Sequence, residues 1–269
     1  VGFFNNLMRM IESTNPESVY VIWESGGSKR KRDLYPDYKS KRRPQKLNRY
    51  YEDIPDSIQN RDYQISMLIK LMSLSPIIQI YAEDAEADDV IGYMSKYKLS
   101  KKNKIIISSD HDFYQLINDK LIVWSPTLKS YVNDQKVIER FGIHPNNFCL
   151  AKSISGDSSD NILGVKGISF KTLSKYFHKF RLAEDYLLQD FFEDVVILGM
   201  TKKLKIIDRL TCETNKKLIK RNVKLINLDV NNLSSFQIQK INQKIENNNI
   251  TNDNIGIRKL LSDHGIINI

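Results

Sequence analysis

Short apolar runs alternate with helical patterns through the first half of the chain and limit the folds open to it. Four runs have the length and composition of buried strands: Ser18–Trp23, Ile77–Tyr81, Lys104–Ser108 and Leu121–Trp124. Strands that alternate with helices predict an α/β fold with a mostly parallel, doubly wound sheet and right-handed crossovers. After about Pro145 the pattern becomes helical, so we expect a helical C-terminal part.

Acidic side chains follow several of the predicted strands. They are Glu24 after the first strand, Glu86, Asp88 and Asp89 after the second, and Asp110 and Asp112 after the third. Because ligands gather at the carboxyl ends of strands in an open α/β sheet, we expect these carboxylates to converge at one edge. Carboxylates in one place repel one another, and divalent cations remove the conflict. Oxygen-only donors favour Mg²⁺ or Mn²⁺ over zinc.

Two of these acidic segments also have an ordinary structural explanation. In EADDVIGYM, Glu86 and Asp89 are three residues apart in the first turn of a predicted helix. Acids are favoured there by the helix dipole without any metal. In SSDHDFYQL, Asp112 has the position of a helix cap after a strand. Each segment alone therefore leaves metal binding and capping open.

The segment GDSSDNILGVKGI, from Gly156 to Ile168, combines groups that repel phosphate with groups that attract it. Asp157 and Asp160 are three residues apart, and a Gly-Val-Lys-Gly turn from Gly164 to Gly167 follows four residues later. This pattern is more specific than the other two, although a plain turn remains the alternative. It makes Asp157 and Asp160 the strongest candidates for a chemical role.

Positive charge is concentrated in one stretch of the chain. Between Lys29 and Arg49 there are ten Lys or Arg and two acids, so this stretch carries +8 (ten minus two) of the formal net charge of +9. Such a block indicates a polyanionic partner, and neighbouring tyrosines, among them Tyr35 and Tyr38, are suited to stacking on bases. A solvated charged face is the competing interpretation.

Membrane and disulfide-rich classes do not suit this sequence. No apolar run approaches the roughly 18 residues that cross a bilayer, and the start of the chain lacks a basic segment followed by an apolar core. Two cysteines, Cys149 and Cys212, are too few for a disulfide framework or a cysteine zinc site. We expect a cytoplasmic protein with no membrane partner.

Four ordered motifs together resemble the flap endonuclease or 5′-3′ exonuclease family in its bacteriophage and bacterial form. They are DLYPDYKSKRRP, EADDVIGY, SSDHDFYQL and GDSSDNILGVKGI, and the resemblance runs from about Tyr20 to Phe180. This family includes the 5′-nuclease domain of bacterial DNA polymerase I. The resemblance implies a PIN-like nuclease core at 1–145, with a basic helical arch at about 28–55. It also implies a helical part at 146–269, with a helix-three-turn-helix DNA-binding motif at about 146–180.

The resemblance also implies roles for single residues. Two or more Mg²⁺ ions are expected, with Mn²⁺ as a substitute. The ligands it implies are Glu86, Asp88 and Asp110 for the first ion and Asp112, Asp157 and Asp160 for the second. Asp89 would be either an adjacent helix cap or an acid that supports the ligands without touching the metal. Lys39 resembles the active-site lysine of the family, and Arg42 its companion on the scissile phosphate. The residues expected to contact DNA are Tyr38, Lys152, Gly164, Lys166, Gly167 and Lys171.

Two departures from the family pattern bear on activity. Members end their first strand with a metal-binding Asp, and this sequence begins at Val1 after that point, so either the chain is a fragment or the centre lacks one ligand. Glu24 stands where relatives have Asp, and its longer side chain either reaches a metal or marks a weakened site.

The function implied is structure-specific 5′ nuclease activity by two-metal-ion hydrolysis, in replication or repair. Expected partners are DNA with a 5′ flap or 5′ end, an RNA–DNA hybrid at primers, and replication proteins, and we expect a monomer. The alternative within the family is a non-catalytic descendant that binds DNA forks. A small-molecule phosphatase also uses clustered Asp at strand ends, but it needs neither the basic stretch nor the glycine turn.

Overall fold

The computed structural model describes residues 2–24, 26–41, 58–247 and 251–265. In these ranges the α-helices are Gly2–Thr14 (α1), Lys29–Leu34 (α2), Ile58–Ser73 (α3), Ala87–Tyr93 (α4), Asp134–Phe141 (α5), Phe148–Ser155 (α6), Phe170–Tyr176 (α7), Leu188–Thr201 (α8), Lys205–Thr211 (α9), Glu213–Ile226 (α10), Ser235–Glu246 (α11) and Asn254–Asp263 (α12). The strands are Val19–Trp23 (β1), Ile77–Tyr81 (β2), Lys104–Ile107 (β3), Leu121–Ser125 (β4), Ser130–Val132 (β5), Gly156–Asp157 (β6) and Ile162–Leu163 (β7).

These elements belong to two compact units. The first unit takes in the described parts of Val1–Ser25, Arg43–Glu83 and Ser234–Ile269, and the second those of Gly26–Arg42 and Asp84–Leu233. Each unit therefore contains residues from both sides of position 145. The division of the chain into 1–145 and 146–269 stays a prediction.

The first unit contains a parallel pair of strands. β1 and β2 run side by side with Val19 opposite Ile77, and the indole N–H of Trp23 donates to Gln79 at 2.9 Å. Most of β2 is buried, which explains why it reads as a continuous apolar run. A small core joins three helices of this unit through Phe4 of α1, Leu71 of α3 and Leu261 of α12.

The second unit contains a three-stranded sheet. β3 and β4 are parallel, with Lys104 opposite Leu121, and a 3₁₀ segment, His111–Leu116, connects them. β5 is antiparallel to β4, with Val132 opposite Val123. The α/β class is confirmed, and the strand pairs β1–β2 and β3–β4 are parallel. The strand β5 and its antiparallel pairing were not predicted.

The segment with the strongest sequence signal lies between α6 and α7 of this unit. α6 is almost wholly buried, and it leads into the antiparallel hairpin of β6 and β7. α10 packs on α6, and the Asn222 amide donates to the carbonyl oxygens of Ser153 and Leu163 at 2.9 and 2.8 Å. This framework fixes the position of Asp157, which lies in β6.

The helices of the described residues include no candidate for a membrane span. Among residues 2–24, 26–41, 58–247 and 251–265, none of the helices combines the length and the apolar character that a bilayer crossing requires.

Candidate metal centre

The acidic residues of the second unit sit where regular elements begin or end. Glu86 is the residue that precedes α4, and Asp88 lies in the first turn of that helix. Asp110 follows β3, and its carboxylate accepts a hydrogen bond from the Asp112 N–H at 2.9 Å. Asp110 is therefore the cap of the 3₁₀ segment. The capping role considered for Asp112 was wrong, because Asp110, two residues earlier, occupies the cap position.

Three of the predicted metal ligands form a carboxylate cluster. Asp112 from the 3₁₀ segment, Asp157 from β6 and Asp160 from the β6–β7 turn each offer an oxygen, and these oxygens all lie within 4.8 Å of one another. Clustered carboxylate oxygens are the ligands that divalent cations such as Mg²⁺ prefer. The structure thus brings together the three residues that the resemblance assigned to the second ion, which fit such a cation. Metal binding by them stays a prediction.

Two carboxyl groups in this region resist ionisation. Burial and the repulsion of Asp110 together raise the pKa of Asp88 to about 7. Burial also raises the pKa of Asp112 to about 6, although the nearby Lys152 acts in the opposite direction. A divalent cation offsets both the burial and the repulsion, because it favours the charged form of every carboxylate around it. The raised pKa of Asp112 therefore fits the same cation as the geometry of its cluster does, whereas Asp88 belongs to the ligand set implied for the other ion.

Glu86 is bound by three donors. Its Oε2 accepts from Lys31 and from the Tyr38 hydroxyl, each at 2.9 Å, and its Oε1 accepts from Lys39 at 2.6 Å. Burial opposes the charged form, but Lys31 and Lys39 outweigh it and lower the pKa of Glu86 to about 2. Within the described residues, the Glu86 side chain makes no capping bond to the N–H groups of α4. Helix capping therefore does not explain this acid.

Lys31 connects Glu86 to Asp89. Its ammonium group lies 2.9 Å from an oxygen of each carboxylate, and Asn232 donates to Asp89 at 2.7 Å. Burial disfavours the charge of Lys31, yet the two acids raise its pKa above the ordinary value. The basic stretch was predicted to face a polyanion, and Lys31 is an exception because its side chain points into the protein. Asp89 is adjacent to the centre, as the resemblance implied.

Lys39 lies at the carboxylates, where the resemblance implied. Its ammonium group is 2.6 Å from Glu86 and 3.9 Å from Asp160. Its backbone N–H donates to the carbonyl oxygen of Asp160 at 2.9 Å, and its φ is +55°. A positive φ costs a lysine on the order of 1 kcal/mol, so surrounding contacts must hold this turn in place. A role for Lys39 on the scissile phosphate stays a prediction.

Tyr38 is not placed for stacking on bases in this structure. Its side chain is only 6% exposed, and its hydroxyl donates to Glu86 at 2.9 Å. Burial and the charges of Glu86 and Asp160 raise the pKa of this phenol well above its usual range. The expected DNA contact is therefore corrected: the ring is buried, and its hydroxyl bonds to the carboxylate of Glu86.

Lys152 also differs from the expectation. It was predicted to grip duplex DNA, but its ammonium group forms ion pairs with Asp112 and Asp157, the second at 2.7 Å. Burial lowers its tendency to hold a proton, but the two acids reverse the effect and raise the pKa of Lys152 above the ordinary value. In the structure this lysine therefore belongs with Asp112 and Asp157, because it lies on the buried part of α6.

The glycine turn combines close packing with an exposed surface. A Cβ at Gly164 would lie 2.0 Å from the carbonyl oxygen of Ser155, so backbone packing alone requires glycine there. Gly167 has a φ of +77°, which favours glycine at an exposed turn. Lys166 and Lys171 flank the turn and are exposed. Their contact with DNA, and that of the two glycines, stays a prediction.

Two predicted site residues, Glu24 and Arg42, are not among the described residues of the second unit. Glu24 follows β1, is exposed, and belongs to the first unit, so its role as a ligand stays a prediction. Arg42 lies outside the described residues, as does most of the arch predicted at about 28–55. α2 and the turn that ends at Lys41 are the described part of that arch.

Lys31 and Asn232 contact the predicted acids, Lys31 both Glu86 and Asp89 and Asn232 only Asp89, and the sequence analysis missed both of them. Lys31 is one of four consecutive basic residues, and only Ser28, a typical N-cap, signals that a helix begins there and gives the four residues different faces. Asn232 is 143 positions from its partner Asp89, in a segment without a motif. No local signal in the sequence indicates that contact.

Comparison with known families gives one match that covers more than half of the chain. Residues 1–142 match the family model described as 5′-3′ exonuclease, N-terminal resolvase-like domain. A 5′-3′ exonuclease of Aquifex aeolicus is 28% identical over 187 residues, which are 69% of this chain and 61% of the relative. A 5′-3′ exonuclease of Buchnera aphidicola is 32% identical over 169 residues, covering 62% of this chain and 54% of the relative. The chain spans less than two thirds of both relatives.

Solved structures show the same fold. A bacteriophage T5 flap endonuclease, in a complex described as containing DNA and metal ions, superposes with a TM-score of 0.71 at 20% identity. The match covers 97% of this chain and 90% of that chain. A second T5 structure, crystallised with metal ions, gives a TM-score of 0.69 at 20% identity and covers 100% of this chain and 92% of that chain. The likeness confirms the PIN-like nuclease fold expected from the sequence.

Proposed function

The chain belongs to the 5′-3′ exonuclease family through its N-terminal resolvase-like domain, and we propose on that premise that it is a structure-specific 5′ nuclease. The observation that carries the proposal is the cluster of Asp112, Asp157 and Asp160, whose oxygens lie within 4.8 Å of one another. The reaction is hydrolysis of a phosphodiester bond in DNA that has a 5′ flap or a 5′ end.

Divalent cations are the cofactor of this proposal. Asp112, Asp157 and Asp160 would hold one ion, and Glu86, Asp88 and Asp110 would hold another, with Glu24 as a further candidate ligand. Mg²⁺ is the proposed ion and Mn²⁺ its substitute, since all these donors are oxygens. When bound, the ions would supply charge stabilisation and a lowered pKa for a water nucleophile.

Basic side chains supply the rest of the proposed chemistry. Lys39, 17% exposed at its side chain and 2.6 Å from Glu86, is the cation best placed to neutralise charge on a phosphoryl oxygen at this centre. Arg42 is proposed as its companion. Lys166 and Lys171, exposed on either side of the Gly167 turn, are proposed to bind phosphates of the duplex.

Contacts to the phosphate backbone position DNA without reading its sequence, so recognition would depend on the structure of the substrate. RNA–DNA hybrids at primers are proposed as a further substrate, and replication proteins as partners of a monomeric enzyme. The proposed setting is replication or repair in the cytoplasm of a bacterial or phage-infected cell. Relatives named 5′-3′ exonuclease and flap endonuclease support this role over that of a non-catalytic fork-binding protein.

Cleavage assays with two substrates test the proposal. The chain is incubated with Mg²⁺ and either a 5′-flap DNA or 4-nitrophenyl phosphate, a simple phosphate ester. We expect cutting near the junction of the flap substrate, complete inhibition by EDTA, and no hydrolysis of the ester. Tight binding of the flap DNA without any cutting would support the fork-binding alternative, and hydrolysis of the ester alone would support a phosphatase.

A further inference from the structure

A chain of buried polar contacts begins at Oε2 of Glu86. Lys31 from α2 bridges Glu86 and Asp89, which lie three residues apart at the start of α4. The three residues are 2%, 1% and 0% exposed. Asn232 donates to Asp89 at 2.7 Å, and Arg30 donates in turn to Asn232 at 2.8 Å. None of these contacts is explained by the proposed reaction itself.

The negative charges of Glu86 and Asp89 are offset by two lysines. Glu86 and Asp89 carry two negative charges, and Lys31 supplies one positive charge at 2.9 Å from each. Two buried carboxylates this close to each other are costly unless a cation separates them. Lys31 removes that cost, and Lys39, 2.6 Å from Glu86, supplies the second positive charge.

The two oxygens of Glu86 have different surroundings. Oε2 is held by two buried donors, the Lys31 ammonium group and the Tyr38 hydroxyl, each at 2.9 Å. Oε1 contacts Lys39, whose side chain is 17% exposed and is therefore nearer to solvent than that of Lys31. Because Lys31 and Tyr38 hold Oε2 from the buried side, Oε1 lies on the more exposed side, where Lys39 contacts it in this structure.

We propose that Lys31 and Tyr38 are positioning residues that hold Oε2 of Glu86 so that Oε1 faces the divalent cation. This inference rests on the proposed function, since it assigns Glu86 to the metal centre of that nuclease. Groups that orient a metal ligand from behind change metal affinity when they are removed, although they never touch the metal.

A direct contact between Lys31 and DNA is the competing explanation, because Lys31 belongs to the basic stretch. That contact requires an accessible ammonium group, and Lys31 is only 2% exposed. Lys29, two positions earlier in the same helix, is exposed. Lys29 therefore serves as the matched control for a basic residue that is free to meet DNA.

Calorimetric titration of the full chain with Mn²⁺, in the absence of DNA, tests the proposal. Lys31→Met is expected to weaken Mn²⁺ binding by about 10- to 100-fold, the usual range for removing a residue behind a metal ligand. Lys31→Arg, which keeps the charge, is expected to restore most of the affinity. Lys29→Met is expected to bind Mn²⁺ like the unaltered chain and to bind DNA more weakly in EDTA.

Tyr38→Phe is a second variant for the same titration, because it removes one hydroxyl and keeps the ring. Loss of a hydrogen bond worth about 1 kcal/mol corresponds to roughly fivefold weaker Mn²⁺ binding. This variant decides the matter if Lys31→Met does not fold. Unchanged Mn²⁺ affinity in the folded variants would overturn the proposal, as would a loss of DNA binding in Lys31→Met equal to that of Lys29→Met. Absence of flap cutting would instead count against the proposed function.

Discussion

The ammonium group of Lys152 lies 2.7 Å from a carboxylate oxygen of Asp157. The same nitrogen forms an ion pair with Asp112. These two acids, together with Asp160, are the cluster proposed to hold a divalent cation. A bound cation would therefore compete with Lys152 for the same oxygens, and in its absence the ammonium group of Lys152 neutralises part of the negative charge of the cluster.

Replacing Lys152 tests this competition. In EDTA, Lys152→Met is expected to lower the free energy of unfolding by about 3 kcal/mol, because it removes the ammonium group that pairs with the buried carboxylates. Mn²⁺ should recover most of this loss, and the variant should bind Mn²⁺ at least about tenfold more tightly than the unaltered chain. Urea unfolding with and without Mn²⁺, and calorimetric titration, measure both effects.

Lys166→Met is the control for Lys152, since Lys166 is exposed in the nearby turn. Its Mn²⁺ affinity and its unfolding in EDTA should match those of the unaltered chain. Equal or weaker Mn²⁺ binding by Lys152→Met would show that this lysine does not compete with the cation.

The raised pKa of Asp88 predicts how stability varies with pH. The folded protein holds the Asp88 proton up to about pH 7, whereas an unfolded chain releases it near the ordinary aspartate pKa of 3.8. A raised carboxyl pKa contributes stability at low pH that is lost as the pH rises from about 4 to 7. In EDTA, the free energy of unfolding should therefore fall by about 2 to 4 kcal/mol between pH 4 and pH 8 through this group.

Asp88→Asn isolates that contribution, because its amide does not titrate. Urea unfolding at several pH values should show a smaller fall for Asp88→Asn than for the unaltered chain, and the histidines cancel in the difference. Mg²⁺ should raise the stability of the unaltered chain most at pH 8, where the carboxylates are charged. Identical pH profiles for the two proteins would contradict the account of Asp88.

Lys166 and Lys171 are expected to bind DNA phosphates through charge alone. Each of Lys166→Ala and Lys171→Ala should weaken DNA binding equally for different sequences. Each should also reduce the slope of log affinity against log salt by about 0.9, the value for one released counter-ion. Fluorescence anisotropy in EDTA at several salt concentrations measures the slope, and an unchanged slope would exclude the phosphate contact.

Part of the fold and the site was readable from the sequence because it depends on local pattern. Apolar runs bounded by polar residues predicted β1, β2, β3 and β4, and their alternation with helices predicted the α/β class. Asp112, Asp157 and Asp160 were found because their motifs are dense in acids, and the structure brings these residues together. The strand β5 was missed because its three residues, SYV, are too few to show a period.

The side chains that contact the acids could not be predicted from the sequence, because charge and residue type do not determine which way a side chain points. The family resemblance implied DNA contacts for Lys152 and Tyr38, yet both contact carboxylates in the structure. Lys31 and Lys29 cannot be told apart by residue type or by neighbouring charge. Only their positions in α2 make Lys31 buried and Lys29 exposed. Asn232 reaches Asp89 across 143 positions, which no local motif encodes.

Cleavage by variants of the carboxylate cluster tests the central claim most directly. Asp157→Asn and Asp160→Asn are compared with the unaltered chain on a 5′-flap DNA in Mg²⁺, and Asp185→Asn, an exposed acid of the same unit, is the control. We predict that both cluster variants cut more slowly by about 100-fold or more and still bind the DNA in a gel-shift assay, because the cluster holds the cation and not the duplex. Cutting by Asp160→Asn at the rate of the unaltered chain would contradict the account.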